Sequence, residues 1–243
     1  EEPGDELFLG LQPVHRMDNP EVIPIHEMLL RGIGASTHAA PHGVFLGDGG
    51  SRKWTITEEQ EFIRMEMKVA HEAQQLVDSN ISMNCAPPAL SHAFTSELNA
   101  NMGRLVLEIT GWDDTMKAKL AAMPAVEVWL DDVIPENWKL IPSILRESKN
   151  VACIKIGYLD SCIVMGQITP TKIAGEPNYG MAKKLHGIGG EQKAYMRKQF
   201  GILMNYLAKS SSVRIVMETS CHIQDFLDLG YLKPGDRTDF IMC

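Results

Sequence analysis

Short runs of apolar and β-branched residues alternate along the chain with longer stretches whose apolar positions recur at helical spacing. The short runs predict strands at 9–14, 22–30, 80–85, 105–109, 125–130, 151–156, 213–217 and 239–242. A first helix is predicted to open on the capping-box pattern Thr57-Glu58-Glu59-Gln60, and Phe62, Val69, Ala73 and Leu76 carry its apolar stripe down to Val77. Further helices are predicted over 115–123, 135–147, 190–209 and 220–229, leaving 32–53 and 157–190 as irregular stretches. The second of these is long for a connection, so it is expected to carry structure of its own or a functional loop. The first two strands are joined only by a short turn around Asp18-Asn19-Pro20, which reads as a hairpin. Strand–helix alternation then continues. The expected fold is α/β: a modified TIM-type barrel with an antiparallel first strand, formed as a single domain over 1–243.

Composition leaves that picture standing and narrows the partners. The chain has 243 residues, 44% hydrophobic and 22% charged, which suits one large packed domain and excludes a disordered chain. Its formal net charge of −8 weighs against DNA or RNA as a partner, because a phosphate backbone calls for a basic face. A small anionic substrate remains compatible where metal ions neutralise the site locally. Five cysteines (Cys85, Cys153, Cys162, Cys221 and Cys243) are odd in number and show no CxxC spacing. They read as reduced thiols of a cytoplasmic protein. No apolar run approaches the roughly 18 residues of a membrane span. The opening Glu1-Glu2-Pro3-Gly4-Asp5-Glu6 has neither an initiator Met nor a signal-peptide pattern, so the expectation is a piece cut from a longer protein.

The candidate chemistry lies in where polar residues interrupt apolar strands. Glu27 follows Pro24-Ile25-His26, Asn84 follows Ile81-Ser82-Met83, and Glu108 sits within Leu105-Val106-Leu107-Glu108-Ile109-Thr110. Asp131 and Asp132 follow Val128-Trp129-Leu130, Lys155 sits in Cys153-Ile154-Lys155-Ile156, and Glu218 follows Val216-Met217. A charge in an apolar strand is costly unless it is paired or bound to a metal. A single such residue reads as an edge position or an ion pair. Six strands each placing one near the same end point instead to the C-terminal rim, where barrels build their active sites. Crowded carboxylates repel one another, and oxygen ligands of this kind suit Mg2+, Mn2+ or Ca2+ better than zinc. The Asp131-Asp132 pair could bridge two ions, and paired ions suit in-line attack of water on phosphorus. Lys155 would orient that water or balance charge on the phosphate.

Taken in order, these segments resemble the EAL-type cyclic-di-GMP phosphodiesterases of bacterial signalling. Leu11-Gln12-Pro13-Val14 is similar to the family's opening QPI strand, and Glu27-Met28-Leu29-Leu30-Arg31 to its EALLR signature. Asn84 matches the Asn of the NLS-type strand, Leu107-Glu108-Ile109-Thr110 matches LEIT, Leu130-Asp131-Asp132 the start of DDFGTG, and Ile154-Lys155-Ile156 the KID strand. Each motif is short, but the ordered set runs over nearly the whole chain. The resemblance implies that Glu27, Asn84, Glu108 and Asp131 hold one Mg2+ or Mn2+, with Asp131 bridging to a second. It also implies that Lys155 contacts the attacking water and that Gln12 and Arg31 face cyclic-di-GMP.

Several segments depart from the family pattern. The loop after the Asp pair reads Val133-Ile134-Pro135-Glu136-Asn137, without the glycine-rich character that organises the family's second metal and dimer interface. Gly157 replaces the Asp of KID. The EGVE segment aligns in two ways: without a gap Ile215 takes the place of the metal-binding Glu, and with a loop three residues shorter Glu218 does. The second is preferred, because a strand end is where a rim ligand belongs. Two function classes follow. One is a metal-dependent cyclic-di-GMP phosphodiesterase, possessing reduced activity and in line with the family a homodimer. The other is a catalytically inactive sensor, or a regulator that binds a protein partner. A barrel metallohydrolase acting on another phosphoester is the remaining alternative.

Overall fold

The computed structural model describes residues 6–16, 23, 25–33, 38–39, 54–110, 115–131, 133, 138–156, 190–209, 213–219 and 238–242. Its strands are β1 (Glu6–Arg16), β2 (Ile25–Ile33), β3 (His38–Ala39), β4 (Asn80–Cys85), β5 (Val106–Thr110), β6 (Glu127–Asp131), β7 (Val151–Ile156), β8 (Arg214–Thr219) and β9 (Thr238–Met242). The described helices are α1 (Ile56–Val77), α2 (His92–Asn101), α3 (Met116–Ala121), α4 (Ile141–Glu147) and α5 (Gly190–Lys209).

Lateral pairing runs β1-β9-β8-β7-β6-β5-β4-β2 and returns from β2 to β1, so eight strands close into a barrel and the two-residue β3 hangs on β2. β1 runs antiparallel to both β2 and β9, whereas every pair from β2 through β4 to β9 is parallel. The expected barrel with an inverted first strand is the one observed. Closure removes the unpaired edges that an open sheet would expose.

Alternation of side chains sets up two apolar layers. Inside the barrel, Val14, Ile25, Val106, Trp129, Cys153 and Val216 form an apolar floor. Outside, Ile81, Met83, Leu107, Ile109, Leu130 and Ile154 pack with helical residues such as Phe94, Leu98 and Leu120. Inward-facing positions therefore run Ile25 then Glu27, Val106 then Glu108, Trp129 then Asp131, and Cys153 then Lys155. Each strand moves from apolar to charged as it climbs. Cys85 and Cys153 are buried free thiols, while the other three cysteines lie outside the described residues.

The helices follow their local signals with two differences. α1 is capped by Thr55 rather than Thr57: Thr55 Oγ accepts from the Glu58 backbone N–H, and the Glu58 carboxylate accepts from the Thr55 N–H at 2.7 Å. Two capping boxes overlap in Thr55-Ile56-Thr57-Glu58-Glu59-Gln60, and the one with a carboxylate makes the stronger, charge-assisted bond. Gln60 is thereby freed to donate to Ala89 O at 2.7 Å and to Ser91 Oγ at 3.2 Å. α2 is absent from the sequence expectations. It is capped by Ser91 and buries Phe94 and Leu98, but carries no acidic first turn and only a weak stripe. The helix expected over 135–147 starts later, at Ile141 after a single 3-10 turn (Trp138–Leu140), and that expected over 220–229 lies outside the described residues. No described helix is long and apolar enough to cross a membrane.

Candidate active site

Strand register sets each charged position beside a polar neighbour on the next strand. Gln12 pairs with Glu27, Glu27 with Ser82, Asn84 with Glu108, and Thr110 with Asp131. From β7, Lys155 reaches in and ends at the centre of the cluster. Its Nζ lies 2.8 Å from Glu27 Oε2, 2.9 Å from Glu108 Oε2 and 3.6 Å from Asp131 Oδ1. All four side chains are buried, Lys155 to 1% and Glu108 to 0% residual exposure.

The remaining oxygens are held unevenly. Asn84 Nδ2 donates to Glu27 Oε1 at 3.3 Å, which leaves the amide oxygen as a neutral donor atom for a cation. Thr110 Oγ donates to Asp131 Oδ2 at 3.4 Å. Glu108 Oε1 is buried without a hydrogen-bond partner among the described residues, and so is Ser82 Oγ two residues below Asn84. Burial, together with the nearby Glu27 and Asp131 charges, pushes the Glu108 carboxyl up to about 8, with Lys155 pulling the other way. Three carboxyl groups surround one ammonium beneath the barrel mouth, so acidic groups outnumber the base there.

A divalent metal is the group this resemblance implies, and the donor chemistry fits one. Carboxylates and an amide oxygen are hard ligands, and Glu108 Oε1 lacks a partner that a cation would supply. Among the described residues no three acidic, histidine or cysteine groups stand at metal-ligand spacing. The carboxylates are instead spaced around the Lys155 ammonium.

The structure brings together Glu27, Asn84, Glu108, Asp131 and Lys155. Gln12 stands on β1 opposite Glu27, and Arg31 is four residues beyond Glu27 on β2, its backbone paired with Phe8. Glu218 is next to last in β8, two residues beyond the inward-facing Val216, whereas Ile215 is buried in the outer layer against the helices. Asp132 lies outside the described residues. Sequence reasoning missed Thr110 and Ser82 as members of the constellation. Thr110 could have been found as the strand-end hydroxyl two residues after Glu108. Ser82 gave the weaker sign of a polar residue alternating with Ile81 and Met83.

No family model matches the chain, and no curated protein does. Solved structures do. The EAL domain of FimX from Xanthomonas citri, in complex with c-diGMP, is similar over 97% of this chain and 85% of its own, with 14% identity and a TM-score of 0.59. The Bacillus subtilis YkuI protein, with an EAL domain in complex with substrate c-di-GMP and calcium, matches over 96% of this chain and 53% of its own (17% identity, TM-score 0.56). The PaMucR phosphodiesterase, in its c-di-GMP complex, matches over 97% and 89% (15% identity, TM-score 0.55). The fold of this chain is that of EAL domains, and the chain spans about half the length of YkuI.

Proposed function

We propose that this domain binds cyclic-di-GMP at the C-terminal mouth of the barrel and hydrolyses one of its phosphodiester bonds with the help of Mg2+ or Mn2+. The observation that carries the reading is the buried cluster of Glu27, Glu108, Asp131 and Lys155, four ionisable side chains from four strands with the three carboxyls converging on one ammonium. A fold can be built more stably from apolar residues at such positions, so a surplus of buried charge there points to a ligand. Glu27, Asn84, Glu108 and Asp131 would hold the ion, and Glu218 and Asp132 stand in sequence where further ligands belong. When bound, the metal supplies Lewis acidity toward a phosphoryl oxygen and offsets charge developing at phosphorus.

The chain's own residues supply the rest. Lys155 Nζ is a three-donor cation that would hold the attacking water by its oxygen or stabilise the phosphoryl group. Gln12 on β1 and Arg31 on β2 would orient the dinucleotide, with a guanidinium suited to a bidentate phosphate or guanine contact. The apolar layer of Val14, Ile25, Val106, Trp129, Cys153 and Val216 beneath the cluster would lower the dielectric around the reacting groups.

A second reading is favoured by the segment after Asp131. Residues 132–137 read Asp-Val-Ile-Pro-Glu-Asn, with no glycine to bring the backbone close to a second ion. On that reading the domain binds cyclic-di-GMP without turnover and acts as a sensor or on a protein partner. Incubation of the protein with cyclic-di-GMP and Mg2+ or Mn2+, with linear dinucleotide followed by chromatography, separates the two. The hydrolase reading expects turnover that Glu27→Ala lowers by more than the roughly 10–100-fold typical of residues that only support a metal ligand. Binding of the nucleotide without product at high enzyme selects the sensor; neither binding nor product refutes both.

A further inference from the structure

We propose that Lys155 is an internal cation that competes with the divalent metal for Glu27, Glu108 and Asp131, so that metal entry is what releases the lysine for work on the substrate. The inference rests on the metal-dependent reading above and deepens it. Its ground is the way the cluster is centred. One ammonium, buried to 1% exposure, is within 2.8 and 2.9 Å of two carboxylates and 3.6 Å of a third, each from a different strand. An ammonium has three N–H donors, and ion pairs on three sides leave it poorly placed to serve a water or a phosphoryl oxygen as well.

A divalent cation would need those same oxygens, at about 2.0–2.6 Å. Two cations cannot share them at such range in a dry interior, where like charges repel strongly. The metal must therefore displace the ammonium from at least one carboxylate as it binds. Geometry makes the exchange feasible: three carboxyl groups converge on the one ammonium, so the ion can take two of them while the lysine keeps the third. The lysine is tethered to β7 beside Glu108 and has only its side-chain torsions to change. Before metal arrives it holds the carboxylates together; afterwards its donors face the mouth. Metal affinity is thus set below what the carboxylates alone would give, and the lysine is deployed only in the loaded site.

The test is calorimetric titration of the whole chain with Mn2+ and Mg2+, comparing wild type with Lys155→Met. Relief of the competing charge should tighten Mn2+ binding at least tenfold and make the variant's melting temperature far more dependent on metal than that of the wild type. Equal or weaker binding by a folded Lys155→Met overturns the proposal. Should that variant not fold without metal, the wild type still decides the matter by NMR of lysine ε-carbons, with Lys155→Arg used to assign the signal. The Lys155 resonance must then move along the same saturation curve as the calorimetry. A resonance that stays fixed while the ion binds overturns the proposal. Absence of metal binding by wild type and variant alike removes the metal-dependent reading itself, and the competition falls with it.

Discussion

Glu66 gives the sharpest test of the energetics. It sits on the buried face of α1 with Ile63, Met67 and Ala70 and is 4% exposed. Desolvation by burial pushes its carboxyl from the ordinary 4.5 up to about 8. A carboxyl raised on folding binds its proton more tightly in the native state than in the unfolded chain. Its contribution is therefore intact below 4.5 and is lost as pH rises toward about 8. Each pH unit crossed in that window removes about 1.4 kcal/mol. Near neutral pH, roughly 2.5 units into the window, the loss is about 3 kcal/mol, and it levels off at about 5 kcal/mol above the folded value.

Glu66→Gln keeps the shape and the amide dipole but cannot ionise. Urea unfolding of wild type and variant at about pH 4.5 and about pH 7 should give a difference that moves in the variant's favour by about 3 kcal/mol between the two. That is a large part of the 5–15 kcal/mol typical of a whole domain. A Glu66→Gln advantage that is the same at both pH values would refute the argument, because it would mean that Glu66 is ionised in the folded protein.

Two further expectations use the same bottom-up logic. Thr55→Ala should cost about 1 kcal/mol in thermal or urea unfolding by removing the observed cap of α1, whereas Thr57→Ala, inside the first turn, should cost less than half as much; the reverse order would restore the box read from the sequence. Glu218→Gln should weaken Mn2+ binding in calorimetry and lower turnover, whereas Ile215→Val, in the outer layer, should cost about 1 kcal/mol of stability and leave metal affinity alone. Loss of metal affinity in Ile215→Val with none in Glu218→Gln would reverse the preferred alignment.

The barrel was legible because two periods are written into the chain. Apolar runs of strand length, separated by helical stripes, fixed the order of elements, and the lack of a helix between the first two strands announced the inverted start. What stayed hidden was helix α2. Phe94 and Leu98 are its only strong apolar markers, and no acidic residue follows Ser91 in its first turn, so local pattern fell below notice even though strand-to-strand alternation demands a helix between Cys85 and Val106. Glu66 was legible and overlooked: it stands three residues after Ile63 and one before Met67, which puts it on the buried stripe.

The site was legible for a different reason, namely the cost of burying charge. Glu27, Glu108 and Lys155 each break a run of apolar neighbours, and in a strand whose two faces are both covered there is no solvent for such a residue to reach. Alternation then decides which way it points. Val106 and Trp129 are inward and apolar, so Glu108 and Asp131, two residues on, are inward as well, and both reach the Lys155 ammonium. Sequence could carry the argument that far because the period of a strand is fixed. It could not say what the carboxylates gather around, since that depends on distances across the barrel. Lys155 on β7 is two strands away from Glu108 on β5 and four from Glu27 on β2, and only closure of the sheet brings its ammonium within 3 Å of both. The same closure makes the lysine the counter-ion of the cluster, the role from which the proposed exchange with a metal starts.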